Sequence, residues 1–202
     1  EFARLVKRKQ IDFNALSNFV PESPLAQYTG AGVIFGATGG VMEAALRTVK
    51  EVLEEKDMGK VDITSVRGMK DIKEAKISIQ LKDAKEPLEV LVAVVHGAVH
   101  IPEMMEKIAK GNKQYAFVEF MGCTGGCING GGQPVVSAEV QDKVDVRAER
   151  AKALYNLDKR AQVRKSHENE VLIKLYKDFL GEPGGHIAHE LLHTSYSAKE
   201  RI

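Results

Sequence analysis

The chain has 202 residues, 44% of them apolar, with 29 basic against 28 acidic side chains and a net charge of +1. That balance gives no electrostatic footing for nucleic-acid or membrane-surface binding. No apolar run approaches the roughly 20 residues of a membrane span. The length suits one or two domains with a substantial core. Nothing at the N-terminus reads as a secretory signal, so disulfides are not expected.

Residues 1–9 predict a short helix with Phe2, Leu5 and Val6 on one face and no evident N-cap. Residues 10–32 are loop-like, broken by Pro21, Pro24 and Gly30. A second helix follows over Val41–Glu55, starting from Thr38 or Gly39, with Val41, Ala45, Thr48, Val49 and Val52 at helical spacing. The GATGG that precedes it invites comparison with a phosphate cradle. It lacks the Walker lysine and is not GxGxxG, so a tight loop–helix junction is the simpler reading.

Residues 61–66 (VDITSV), 75–81 (AKISIQL) and 88–95 (LEVLVAVV) predict strands. In the second, Ile77, Ile79 and Leu81 share one face, which predicts burial on that face only. Lys82–Pro87 is short enough for a hairpin, and the nearly continuous apolar run from Leu88 suits an inner strand. After Gly97 a helix to about Lys110 turns Ile101, Met105, Ile108 and Ala109 inward, and Gly111 ends it. Tyr115–Met121 is a further strand. The fold class is therefore α/β, a mixed sheet with helices on its faces.

Beyond Ser137 the pattern is helical. Arg147–Ala161 is one helix with Ala151, Leu154 and Leu157 as its buried row. Asn169 caps the next, Glu170–Leu180, whose apolar set is Leu172, Leu175, Tyr176 and Phe179, and Gly181 and Pro183 stop it. Two units follow: a lobe over residues 1–136 and a helical tail over 137–202.

The stretch richest in chemistry is YAFVEFMGCTGGCINGGGQP, Tyr115 to Pro134. A strand empties into a loop with glycine at 122, 125, 126 and 130–132 and with both cysteines of the chain, Cys123 and Cys127. Glycine lets the backbone take φ > 0 and approach a bulky group closely. Two thiols at this spacing can be inert, form a redox pair or ligate a soft metal. Zinc or an iron–sulfur cubane needs four ligands, so a metal here requires ligands from elsewhere. His189-Glu190-Leu191-Leu192-His193 spells HExxH, the helical zinc-protease pattern. Only nine residues follow His193, the extended pattern fails at Tyr196 and Lys199, and His186 is poorly spaced to be a third ligand. His96, His100 and His167 have no evident role beyond structural or surface ones.

Glu119, Met121, Cys123, Gly126, Cys127, Gly130, Gly131, Gly132, Gln133 and Pro134 stand as in ExMxCxxGCxxGGGQP, which resembles the third signature of iron-only ([FeFe]) hydrogenases. Thr29–Thr48 and Arg164–Tyr196, HELLH included, resemble the same family in the same order. The first two signatures, TSCCP and MPC, do not occur, so the resemblance is to the C-terminal part of a catalytic subunit with a small-subunit-like tail. It implies reversible interconversion of protons, electrons and dihydrogen at a [4Fe–4S] cubane bridged to a diiron unit carrying carbonyl and cyanide.

Cys123 would then ligate the cubane, Cys127 would bridge it to the diiron unit, and Met121, Phe35, Gly36 and Val41 would line the pocket. The remaining cubane cysteines and the proton-shuttling cysteine would lie upstream, leaving no catalytic residue in this chain. A ferredoxin-like or NAD-linked electron carrier and a cytoplasmic setting are implied. Gly122 and Thr124 depart from the Ala and Pro of many members. The related cytosolic iron–sulfur assembly factors, with a similar loop and no diiron site, are the second reading, and a zinc protease is the third.

Overall fold

The computed structural model describes residues 1–19, 28–59, 61–111 and 113–198. Pro21 and Pro24 lie outside them. A three-stranded sheet forms the frame: β1 (Ile72–Ile79), β2 (Leu88–His96) and β3 (Phe117–Met121), in the order β1-β2-β3. β1 and β2 are an antiparallel hairpin, with Ile77 opposite Val90 and Lys73 opposite Val94. β2 and β3 run parallel, with Val94 beside Glu119 and His96 beside Met121. The sheet is thus mixed, as the sequence implies, and β2 is its inner strand.

One face is covered by helix α3 (Gly40–Glu54), which packs Met42 and Leu46 on Ile77, Ile79, Val92 and Val94, with Val66 closing the edge. The other face is covered by α4 (Ile101–Ala109), whose Met104 is buried against Ala93 and Val95. Burying each of these side chains stabilises the fold by roughly 1.5–3 kcal/mol. Two short helices precede α3: α1 (Phe2–Arg8), which buries nothing, and α2 (Gly30–Ile34), capped by the Thr29 hydroxyl accepting from Gly32 N–H at 3.1 Å. The tail supplies α5 (Ala138–Gln141), α6 (Val146–Arg160), α7 (Glu170–Leu175) and α8 (His186–Leu192). Asn169 caps α7 as expected, its side chain accepting from Val171 and Leu172 N–H. No helix among the described residues is long and apolar enough to cross a membrane.

Four expectations need correction. Residues 61–66 form no strand; they cross the end of the sheet and finish in a 3-10 turn over Thr64–Val66. Asp62 is drawn to Arg67 and Arg164, and the Val66 carbonyl lies so close to Gly39 that a Cβ there would sit 2.1 Å from it. In α4 the buried residue is Met104, which lies on the helical face between Ile101 and Ile108, while Met105 and Ile108 are exposed. In α6 the inward residue is Asp158 rather than Leu157, which is exposed. After α7, Tyr176–Leu180 forms a π turn that rotates Leu180 inward and leaves Phe179 exposed.

Helices α3 and α6 meet around a cluster of buried charges. Arg47 of α3 donates to both Asp158 oxygens at 2.9 and 2.8 Å and to Glu43 at 2.7 Å. Arg164 donates to Asp158 and Asp62, and Arg67 donates twice to Glu43 while stacking over Tyr155. Burial alone would raise the Asp158 pKa, but hydrogen bonds from Arg47 and Arg164 hold it below the usual carboxylate range. Gly30 makes the room, since a Cβ there would lie 2.0 Å from Asp158 Oδ1.

Candidate metal centre

The site grows out of the end of the parallel pair. Past Met121 the β2–β3 ladder continues for one more step, Gly97 N–H to Met121 O and Ala98 N–H to Gly122 O, both at 2.9 Å. The chain then turns through Cys123–Gly130. Gly126 N–H returns to Cys123 O, and a 3-10 turn over Cys127–Asn129 is closed by Gly130 N–H to Cys127 O, each at 3.0 Å.

The loop is tied from outside as well. Thr38 N–H donates to Gly125 O, Ile128 N–H donates to Gly36 O, and Gly125 N–H donates to His96 Nδ1, all at 3.0 Å. The abundance of glycine implies a loose loop; from Cys123 to Gly130 the observed backbone is instead anchored at several points. Gly125 and Gly126 have φ of +84° and +98°, and a Cβ on Gly126 would sit 2.7 Å from Gly36 O and 3.0 Å from Met121 Sδ. Only glycine fits there.

The structure brings most of the expected site residues to one end of the sheet. Cys123 and Cys127 are both exposed and unpaired by disulfide. Met121 is half-buried with its sulfur against Gly126. Gly36 meets the loop through its carbonyl, and a Cβ on it would press Leu154 at 2.9 Å. Phe35 next to it is exposed, and Val41 is half-buried in the first turn of α3.

Beneath the loop lie polar residues to which sequence reasoning assigned nothing. Glu119 is buried in β3 and accepts from Gly39 and Met42 N–H, both at 2.7 Å, so its carboxyl group caps the N-terminus of α3. Burial nevertheless pushes its pKa upward, against those two hydrogen bonds and nearby Lys73. Lys73 donates to Gly68 O at 2.7 Å and to Thr38 Oγ1 at 3.3 Å, and burial lowers its pKa to about 8. His96 is fully buried; burial first, then Lys73, lower its pKa. The Met69 backbone slightly favours its protonated ring, yet Nε2 makes no hydrogen bond. The available signals were the place of Glu119 at the head of the ExMxC motif and one histidine ending the neighbouring strand.

Two other metal patterns are answered by geometry. His193 lies past the end of α8 and stacks on His189 with centroids 4.2 Å apart. No third His, Cys or carboxylate ligand converges with them among the described residues. Glu51, Asp57 and Glu168 do converge, but the Lys165 ammonium already binds all three at 2.6, 3.1 and 2.7 Å.

Two free, exposed thiol side chains on an anchored glycine loop suit a thiophilic metal centre. The chain belongs to the iron-only hydrogenase family. Residues 1–131 match the model described as iron only hydrogenase large subunit, C-terminal domain, and residues 144–199 match iron hydrogenase small subunit. Iron hydrogenase 1 of Clostridium pasteurianum is 43% identical over 97% of the chain and 33% of its own length. The cytosolic Fe-S cluster assembly factor narfl of Xenopus tropicalis is 34% identical over 54% of the chain and 22% of its own length. A variant of the [FeFe]-hydrogenase HydA1 from Chlamydomonas reinhardtii superposes with a TM-score of 0.71 at 35% identity, covering 97% of this chain and 53% of that one. The chain thus spans about a third of the first of these curated relatives and about half of the solved structure.

Proposed function

We propose that this chain forms part of an [FeFe]-hydrogenase active site, in a protein that interconverts protons, electrons and dihydrogen. The observation that carries this reading is the pair of exposed thiols held on an anchored loop within the full ExMxCxxGCxxGGGQP pattern. Cys123 would hold the [4Fe–4S] cubane, and Cys127 would hold the cluster where the cubane meets the diiron unit. When bound, that group supplies the redox chemistry and the metal at which hydrogen is handled. The chain's own residues would do the rest: Cys123 and Cys127 would hold the cluster, and Met121, Phe35, Gly36 and Val41 would wall its pocket and limit water.

The other cubane ligands and the proton-shuttling cysteine belong to an upstream lobe of the same subunit. An electron carrier of ferredoxin or NAD-linked type completes the circuit, and a cytoplasmic setting suits two unpaired thiols. Residues 1–136 serve as one lobe and 137–202 as the tail that clasps it. Alone, this chain lacks two cubane ligands and is expected to be inactive.

Metal analysis with infrared spectroscopy of the complete protein tests the reading. Iron with carbonyl and cyanide bands is the expected result. Iron without those bands would instead favour the assembly-factor reading, to which the Xenopus relative lends support. Neither iron nor sulfide would overturn both.

A further inference from the structure

Midway between the two cysteines stands the peptide of Gly125, and it is gripped on both sides. Its carbonyl accepts from Thr38 N–H and its amide donates to His96 Nδ1, each at 3.0 Å. The sheet cannot satisfy that buried amide, because the β2–β3 ladder ends three residues earlier with Ala98 N–H to Gly122 O. A buried N–H without an acceptor is costly, and ordering Gly125 and Gly126 at positive φ costs glycine's large backbone entropy, which some contact must offset. His96 meets the need as the last residue of the inner strand, fully buried and directly beneath the loop. An acceptor at Nδ1 defines the neutral tautomer with its proton on Nε2, an N–H that is itself buried and makes no hydrogen bond. The charged groups around the ring are Asp71, 3.9 Å from Nδ1, Lys73 and Arg147.

We propose that His96 is the positioning residue of the cysteine loop: by accepting the Gly125 N–H it fixes the spacing of Cys123 and Cys127 before any metal arrives. The consequence for the thiols rests on the reading of this loop as an iron–sulfur ligand; the His96–Gly125 link does not. His96 touches no reacting atom. It acts through the backbone between the two ligands, so the loop needs no reordering when the thiolates bind.

The test begins with the unaltered chain, isotope-labelled at glycine and histidine. A scalar coupling across the hydrogen bond between the Gly125 amide nitrogen and His96 Nδ1 is expected. Its absence in a folded sample overturns the proposal. His96→Leu keeps the volume and removes the acceptor, whereas the Oδ1 of His96→Asn stands near the lost Nδ1. Losing one neutral hydrogen bond should speed Gly125 amide exchange about tenfold in His96→Leu, with the core amides of Val92–Val95 unchanged. In His96→Asn the Gly125 exchange rate should stay close to the unaltered one. Cadmium, used as a thiophilic probe, should bind His96→Leu about tenfold more weakly and His96→Asn nearly normally.

Unchanged Gly125 exchange in a folded His96→Leu, or a His96→Asn as defective as His96→Leu, would sink the positioning role. If His96→Leu does not fold, the coupling and the His96→Asn variant decide. Failure of the unaltered chain to bind cadmium would count against the metal reading of the loop, while the coupling and exchange still judge the His96 link.

Discussion

Lys73 makes the sharpest statement at the scale of single residues. Its folded pKa is about 8 against an ordinary 10.5, because burial disfavours the charged form. Between those values the unfolded chain binds a proton that the folded chain does not, so stability rises with pH through that window. The complete effect amounts to roughly 3 kcal/mol. Guanidinium unfolding should show the rise between about pH 8 and pH 10, and Lys73→Met should flatten it. A profile that is the same in both proteins would mean that Lys73 is hydrated and charged normally. Glycine makes a second claim. Gly126→Ala forces a Cβ against the Gly36 carbonyl at φ +98° and should cost roughly 1–3 kcal/mol in thermal unfolding. Gly131→Ala, with nothing within 4 Å of its added Cβ, should cost far less and serves as the control.

At the scale of elements, Asp158 ties α6 to α3, and its loss leaves Arg47 and Arg164 buried without their shared partner. Asp158→Asn should therefore lower stability by roughly 3–5 kcal/mol in urea unfolding. Gly30→Ala should do comparable damage by displacing the same carboxylate. A small loss in both variants would show that the cluster is dispensable. The hairpin, the inner strand and the extent of the long helices α3 and α6 were legible from spacing, but not their buried faces: α3 buries Met42 and Leu46, whereas Val49 and Val52 of the expected row are exposed. Nor was helix phase beyond α7, where a π turn rotates Leu180 inward and leaves no mark in the pattern. VDITSV has strand-forming residues, yet Asp62 is claimed by arginines 5 and 102 positions away. The short helix α2 was passed over because its glycines suggest a loop. At the site, motif spacing exposed Met121, Cys123 and Cys127. Glu119 stood in the motif without a role and His96 stood outside it, and their partners became visible only once the fold brought Gly39, Met42 and Gly125 to them across 80, 77 and 29 residues.

For the molecule as a whole, the ligand count predicts what the isolated chain can hold. A cubane takes four protein ligands, and this sequence contains two cysteines. Iron reconstituted into the chain alone should be substoichiometric and lost in air. A stoichiometric, air-stable cluster that takes up hydrogen would contradict the assignment of the missing ligands to an upstream lobe. The buried charges also imply an order of assembly. Arg67 and Glu43 are 24 residues apart, but Arg47 must find Asp158 across 111 residues and the Arg164 carbonyl across 117. Contacts that distant close late, after the sheet has collapsed on α3. The tail should thus act as a latch that governs how long the folded chain persists rather than how fast it is reached. In stopped-flow experiments Asp158→Asn should accelerate unfolding and leave the refolding limb nearly unmoved. Slower refolding would place the tail in the folding nucleus instead.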